Sequence, residues 1–210
     1  MAAGPKALTA KLEATGLTLF RGDRCLFTSL SFALNAGELL LLEGSNGSGK
    51  TSLMRALAGL LTFDEGNIYW NGNPVDRDRQ SFRGDFTWLG HRTGLKSDLT
   101  PVENLRFDTV LRARNSASFE SVFQRLGIAR LAPLPVRLLS AGQQRRVALA
   151  RLLLSATPLW LLDEPFTNLD REGRALVLEL VDEHLDNGGL CVMAAHQDID
   201  VRNTVRSVKL

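Results

Sequence analysis

The sequence predicts an α/β fold in which a mostly parallel sheet is combined with an antiparallel N-terminal β subdomain and a helical insert. Three observations predict this class. A glycine-rich loop at residues 44–51 separates a strand-length apolar run from a run with apolar residues at helical spacing. In the second half of the chain, short apolar runs alternate with amphipathic ones, as in parallel sheets joined by helices. The 210 residues, of which 44% are hydrophobic, suit a single domain over 1–210 with a subdomain inside it.

The chain begins with an antiparallel pair. Residues 12–20 and 24–33 alternate between apolar and polar side chains, and residues 21–23 form the turn between them. Phe20 or Arg21 lies about one strand pair ahead of the glycine-rich loop, where a flat side chain could stack on an adenine base. An ordinary strand aromatic is the alternative for Phe20.

The glycine-rich loop fits the phosphate-binding pattern G-x-x-x-x-G-K-[ST] at every fixed position and has the strand–loop–helix context that the pattern needs. Glycines let successive N–H groups point inward, and the helix N-terminus adds partial positive charge. A P-loop NTPase core with ATP as ligand is therefore predicted, in which Lys50 reaches the β- and γ-phosphates and the Thr51 hydroxyl binds Mg²⁺. The nucleotide-binding residues predicted here are Gly44, Ser45, Asn46, Gly47, Ser48, Gly49, Lys50, Thr51 and Ser52.

The middle of the chain changes character. Residues 67–70 and 86–90 are predicted strands. Apolar residues then recur at helical spacing over 102–111 and 119–126. We therefore expect a helical subdomain at 92–138, inserted between two halves of the α/β core.

Two apolar strands of the second half end in polar residues. Residues 159–162 lead into Asp163 and Glu164, and residues 190–195 lead into His196. The carboxyl end of a parallel strand is where α/β proteins bind ligands. Asp163 is predicted to hold Mg²⁺, and Glu164 to polarise the attacking water as general base. His196 is predicted to hydrogen-bond a γ-phosphate oxygen and hold that water in place.

A helix is predicted from Ser140 to about Leu154, with Ser140 as N-cap. Its serine hydroxyl, small residues and free N–H groups form an anion site. The following Arg145, Arg146 and Arg151 read as a solvated, ion-paired face rather than as a nucleic-acid site.

Composition excludes some classes. The net charge of +2 gives no electrostatic argument for nucleic acid. Cys25 and Cys191 are far apart and read as reduced core thiols. His184 is expected on the exposed face of a helix over 172–185, with no role in chemistry. The sequence has no run of about 18 uncharged apolar residues, the length that a membrane-spanning helix needs. Any membrane role would therefore depend on a partner.

With these motifs, the chain resembles the ATP-binding subunits of ABC transporters over its whole length. Leu139–Gln143 is similar to that family's signature motif, usually Leu-Ser-Gly-Gly-Gln, with Ala141 for one glycine, and residues 168–170 match its D-loop. The resemblance implies that Ser140, Gly142 and Gln143 bind the ATP of a second subunit. It also implies a head-to-tail homodimer in the ATP-bound state and a switch role for His196.

A narrower resemblance is carried by residues 34–39, 44–47, 89–91, 99–100, 103–105, 139–151 and 163–167. In these segments the chain is similar to the cytochrome c maturation subfamily, CcmA. The resemblance implies an ATPase at the cytoplasmic face of the bacterial inner membrane that works with membrane subunits resembling CcmB and CcmC in haem export or haem-chaperone release.

One position departs from the family. ABC proteins place a glutamine in the loop after the strand at 86–90, where this chain reads Gly90-His91-Arg92. Arginine has no acceptor and cannot ligate Mg²⁺. Either His91 takes the glutamine's role or coupling to the partner differs.

The sequence thus predicts an ATP-hydrolysing motor subunit for a separate membrane protein. One alternative is the ATPase of another exporter of drugs, lipids or polysaccharides, which shares the same motifs. A soluble non-transport ABC ATPase is a third reading, although such proteins usually carry two ATP sites or a long coiled-coil insert.

Overall fold

The computed structural model describes residues 10–110, 117–195 and 199–210, and side chains for all of these except 108–110. Their strands form two sheets. The antiparallel sheet has the order β2-β1-β4-β5, and its strands are β1 Lys11–Arg21, β2 Arg24–Asn35, β4 Glu65–Trp70 and β5 Asn73–Pro74. The parallel sheet has the order β6-β7-β8-β3-β9, and its strands are β3 Glu38–Glu43, β6 Phe86–Leu89, β7 Leu159–Asp163, β8 Leu190–Ala194 and β9 Thr204–Lys209.

Six helices lie within the described ranges. They are α1 Lys50–Leu57, α2 Arg79–Gly84, α3 Pro101–Val110, α4 Phe119–Arg125, α5 Ala141–Leu154 and α6 Arg171–Asp186, and short 3-10 turns lie at Val75–Arg77, Ala129–Leu131 and Val136–Leu138. The predicted class, a mostly parallel core with an antiparallel subdomain at its N-terminal side, is confirmed. Within the described ranges, no helix has both the length and the apolar character needed to span a bilayer.

The central strands are apolar throughout because both faces of the parallel sheet are covered. In β7, Trp160 and Leu162 pack with the helices α5 and α6, whereas Leu159 and Leu161 pack with α1 and the antiparallel sheet. The same alternation holds in β8, and all five of its residues are buried. A strand with no polar face is therefore what this position in the fold requires.

The register of the parallel sheet brings the carboxyl ends of its strands to one edge. Ala194 of β8 pairs with Asp163 of β7 on one side and with Leu42 of β3 on the other. Leu89 at the end of β6 pairs with Leu162. The segments that follow β3, β6 and β7 therefore leave the sheet at the same edge, which is where the site is built.

One prediction about the core is wrong. Cys25 is exposed, because β2 is an edge strand of the antiparallel sheet and Cys25 lies beside its first turn. Cys191, in contrast, is fully buried in β8, and burial raises the pKa of its thiol.

Candidate active site

The phosphate-binding loop runs from the end of β3 into α1. Two of its glycines have backbone angles that favour glycine: Gly44 has φ of 143° and Gly49, the N-cap of α1, has φ of 115°. A Cβ at Gly44 would lie 2.6 Å from Ser48 Oγ, which no real contact allows. The tight curl of the loop thus depends on glycine at both ends.

Lys50 lies inside this loop. It is only 7% exposed, and its Nζ donates to the carbonyl oxygens of Gly44 at 2.6 Å and Ser45 at 3.0 Å. Arg24 of β2 donates to the carbonyl of Gly47 at 3.2 Å, which ties the loop to the antiparallel sheet. Two cations therefore contact the backbone that would surround a phosphate chain.

Thr51 and Asp163 are 112 residues apart in sequence but adjacent in the fold. Thr51 Oγ1 donates to Asp163 Oδ1 at 3.3 Å. Asp163 is 2% exposed, and burial raises its pKa, opposed by the hydrogen bond from Thr51 and by the positive charges of His91, Arg55 and Arg145. Burying the Asp163 carboxylate costs free energy. This carboxylate lies beside the Thr51 hydroxyl, and a hard cation prefers such oxygen ligands.

The donor set fits Mg²⁺ rather than a metal held wholly by protein. Within the described ranges, no group of three or more His, Cys, Asp or Glu side chains could hold a metal ion. Mg²⁺ usually takes one or two protein oxygens and completes its shell with water and substrate phosphates. Thr51 and Asp163 offer that number of ligands.

An open cleft of about 540 Å³ lies over the loop. Its lining residues come from the loop, from β1 and β2 and from the segments after β6 and β7; they are Arg21, Leu26, Asn46, Gly47, Gly49, Lys50, Thr51, Ser52, His91, Glu164 and Thr167. Of the two candidates for base stacking, Arg21 lines the cleft, whereas Phe20 is 46% exposed and is not among the lining residues. Of the pair after β6, His91 lines the cleft and Arg92 does not.

Glu164 has an unusual backbone. Its φ of 52° lies in the left-handed region, which a glutamate rarely adopts without support. Its N–H donates to the carbonyl of Ala194 at 2.9 Å, across from the end of β8. The turn directs this residue into the cleft beside Lys50 and Thr51.

Sequence reasoning missed Arg145. It was predicted on a solvated face, but it is 1% exposed. Its guanidinium donates to four main-chain carbonyls: those of Gly90 at 2.7 Å, Asp163 at 3.3 Å, Glu164 at 2.6 Å and Pro165 at 3.0 Å. Burial lowers the pKa of Arg145 to about 10, opposed by the carboxylates of Asp163 and Glu164, so the guanidinium is charged at neutral pH.

The predicted signature residues lie in a different concavity. Ser140, Gly142 and Gln143 line a space of about 300 Å³ together with Arg146 and residues 168–170, and none of these residues lines the cleft over the phosphate loop. Ser140 and Gln143 form a capping box: Ser140 Oγ accepts from the Gln143 N–H at 3.3 Å, and Gln143 Oε1 accepts from the Ser140 N–H at 2.9 Å. The capping bond uses the serine oxygen as acceptor and leaves its O–H as a donor.

Gly142 is required by close packing. A Cβ there would lie 2.7 Å from the carbonyl oxygen of Asn168. The first turn of α5 is thereby held against residues 168–170, which follow the Glu164 turn along the chain.

His196 lies outside the described residues, so its predicted role stays a prediction. His184 was expected on an exposed face, but it stacks on Trp160 with ring centroids 3.9 Å apart and planes 6° apart. Its Nε2 lies 3.1 Å from the carbonyl oxygen of Leu190. It lies away from the cleft and takes no part in the site.

Three comparisons place the chain among known proteins. A profile of the ABC transporter family matches residues 27–167. The cytochrome c biogenesis ATP-binding export protein CcmA of Methylococcus capsulatus is 48% identical over 96% of this chain and 98% of its own. The protein of the same name from Yersinia pseudotuberculosis is 48% identical over 95% of this chain and 92% of its own.

A solved structure gives the same fold. A putative ABC transporter ATP-binding protein from Pyrococcus furiosus superposes with a TM-score of 0.81 at 22% identity, covering 94% of this chain and 96% of that one. The loop, the strand-end carboxylates and the full-length relatives agree: the chain belongs to the ABC transporter family and, within it, to the CcmA group of ATP-binding export proteins.

Proposed function

We propose that this chain is the ATP-hydrolysing subunit of a transporter complex for cytochrome c biogenesis and that it powers a separate membrane subunit. The observation that carries the proposal is that Lys50, Thr51 and Glu164 line one cleft and that Thr51 contacts Asp163. Relatives at 48% identity over nearly the full chain bear the name of an ATP-binding export protein.

The chemistry follows from the positions of these groups. Main-chain N–H groups of the loop and the Lys50 ammonium neutralise charge on the phosphates. Glu164 accepts a proton from the attacking water and orients it for in-line attack on the γ-phosphorus. Thr51 and Asp163 would hold Mg²⁺, which when bound neutralises charge on phosphate oxygens. We retain His196 as a proposed contact to the γ-phosphate.

A second copy of the chain completes the site in this proposal. Ser140, Gly142 and Gln143 line a concavity of their own at the N-terminus of a helix, and the capping bond uses the Ser140 oxygen as acceptor, so the hydroxyl can still donate. These features suit the γ-phosphate of ATP held by another subunit. The active species is therefore a head-to-tail homodimer with two ATP molecules between its subunits.

The proposed membrane partners resemble CcmB and CcmC, at the cytoplasmic face of the bacterial inner membrane. The helical subdomain at 92–138 includes α3 and α4 and begins at the loop that bears His91. Because this loop leaves the sheet beside Glu164, we assign the subdomain to passing motion from the ATP site to the partner.

The first test is Glu164→Gln. The variant keeps the shape of the side chain and removes its basicity, so steady-state hydrolysis should fall about 100-fold or more, the range of general-base effects, while ATP still binds. Glu65→Gln, on the exposed part of β4, is the matched control and should behave as wild type. Hydrolysis that survives in Glu164→Gln would remove this residue from the mechanism.

The second test identifies the partner. Tagged Glu164→Gln protein is captured from native membranes with ATP, which holds the closed state. Recovery of proteins resembling CcmB and CcmC supports the cytochrome c role. Recovery of an unrelated permease would leave the ATPase intact and reject that role, and recovery of no membrane protein would favour a non-transport ATPase.

A further inference from the structure

Arg145 is buried at the meeting point of two loops. One is the segment after β6, which begins at Gly90, and the other is the turn at the end of β7, residues 163–165. Four hydrogen bonds from one guanidinium join the main-chain carbonyls of these loops. A planar guanidinium offers five donors in a fixed fork, so it sets the mutual position of the carbonyls it binds, which an ammonium cannot do as well.

The bonds hold the peptide groups around Glu164. The Glu164 carbonyl accepts from Arg145 Nη2 at 2.6 Å, and the next carbonyl, that of Pro165, accepts from Nε at 3.0 Å. On the other side, the Glu164 N–H donates to Ala194. Since Glu164 has φ of 52°, an unfavourable angle for glutamate, this conformation needs support from outside the turn. Arg145 supplies that support on the carbonyl side.

Arg145 also connects the two halves of the proposed dimeric site. It lies on α5, two residues after Gln143 of the capping box, and Ser140 and Gln143 line the second concavity. A rigid helical turn therefore runs from the group that would contact the partner's ATP to the turn that carries the base for this chain's own ATP.

We infer that Arg145 is a positioning residue that fixes the Glu164 turn in its productive conformation and ties it to the first turn of α5. The inference rests on the proposed function, because it assigns a role relative to the base of ATP hydrolysis. It extends that function by naming a residue that touches neither ATP nor the water.

The test compares Arg145→Gln and Arg145→Lys with Arg151→Gln. Arg151 is the matched control: it lies on the same helix and also donates to main-chain carbonyls, but these are the carbonyls of Thr93 and Gly94, which lie outside residues 163–165. A displaced base lowers the rate of the chemical step by about 10- to 100-fold. We expect that loss in kcat for Arg145→Gln, a KM for ATP within about threefold of wild type because the phosphate loop is untouched, and partial rescue in Arg145→Lys. Arg151→Gln should keep kcat within about twofold of wild type.

A double-mutant cycle separates positioning from general destabilisation. In the Glu164→Gln background there is no base to position, so adding Arg145→Gln or Arg145→Lys should change residual single-turnover hydrolysis by less than about twofold. If the fold-losses in rate caused by the Arg145 and Glu164 substitutions multiply in the double variant, the inference is overturned. If Arg145→Gln does not fold, Arg145→Lys carries the same cycle, and ATP affinity with a thermal melt is measured on every variant to count the folded sites.

The outcomes also distinguish this inference from the proposed function. Wild-type protein that binds ATP but does not hydrolyse it, alone or with its membrane partner, would reject the function. Wild-type hydrolysis together with unchanged kcat in both Arg145 variants would reject the inference alone.

Discussion

At the scale of single residues, the stack of His184 on Trp160 has a consequence for stability. The imidazole is shielded by the indole, and Gly189 lies so close that a Cβ there would be 2.3 Å from the ring. Burial lowers the pKa of His184 to about 4, opposed by hydrogen bonds to the carbonyls of Leu190 and Pro158. An unfolded chain has no such shield, and its histidine titrates near the ordinary value of 6.5.

The direction of the pH effect on stability depends on whether the folded or the unfolded state binds the proton. Between pH 6.5 and 4 the unfolded state takes up a proton at His184 that the folded state does not, so stability falls as pH falls through this window. The full difference corresponds to about 3 kcal/mol of unfolding free energy. We expect wild type to lose up to this amount between pH 7 and pH 4 relative to His184→Gln, measured by urea unfolding at each pH. Parallel pH profiles of the two proteins would show that His184 is not the group responsible.

The residues that sequence reasoning placed wrongly are wrong for one reason. Arg145, His184 and Cys25 were assigned an environment from their neighbours in sequence. Their burial is decided by residues far along the chain: the loops after β6 and β7 for Arg145, Trp160 of β7 for His184, and the absence of a further strand beside β2 in the described sheet for Cys25. Residues 44–51, in contrast, connect a strand to a helix as their motif predicts, because that motif is local in sequence.

At the scale of elements, two neighbouring positions in the first turn of α5 should respond in opposite ways to substitution. Ala141 is exposed, whereas Gly142 packs against the carbonyl oxygen of Asn168. Alanine is the better helix former by about 1 kcal/mol, so helix propensity alone would favour Gly142→Ala and disfavour Ala141→Gly. The clash at 142 reverses this order.

We expect Gly142→Ala to lower ATP hydrolysis at least about 10-fold, because the turn that would meet the partner's phosphate must move. Ala141→Gly, which restores the glycine usual in the family, should stay within about twofold of wild-type activity and lose no more than about 1 kcal/mol of stability. Steady-state hydrolysis and thermal unfolding of the two variants check both points. Equal activities would mean that the close approach at Gly142 has no part in the reaction.

Element boundaries were largely predictable, and sheet order was not. The strands at 159–162 and 190–195 were recognised because a strand buried on both faces is apolar throughout. The order β6-β7-β8-β3-β9 depends on pairings between distant segments, such as that of Glu38 with Thr204, which leave no periodic mark on the sequence. The Glu38 carboxylate also pairs with Arg206, 168 residues away, and that hydrogen bond lowers the pKa of Glu38.

At the scale of the whole molecule, the cleft over the phosphate loop and the concavity lined by Ser140, Gly142 and Gln143 share no lining residue. If each catalytic site combines the cleft of one chain with the concavity of the other, a chain with a defective cleft and a chain with a defective concavity should complement each other. Lys50→Ala disables the cleft and Ser140→Arg disables the concavity. Each variant alone should be inactive as a homodimer.

Mixing the two variants should restore activity. In a 1:1 mixture about half of the dimers are mixed, and each mixed dimer has one intact site of two, so up to about a quarter of the wild-type rate per chain is expected. The measurement is ATP hydrolysis after co-refolding or co-expression with two different tags. A mixture as inactive as its components would show that Lys50 and Ser140 do not work across a dimer interface.

The separation of the two concavities also bears on how ATP turnover depends on concentration. Under the proposed function each catalytic site needs two chains, so at high dilution the rate of ATP hydrolysis should rise with the square of the protein concentration. Two chains docked side by side on one membrane subunit would instead meet at an effective concentration near the millimolar range typical of short tethers. Docking alone could thus switch on turnover, and unassembled chains would leave the cell's ATP untouched.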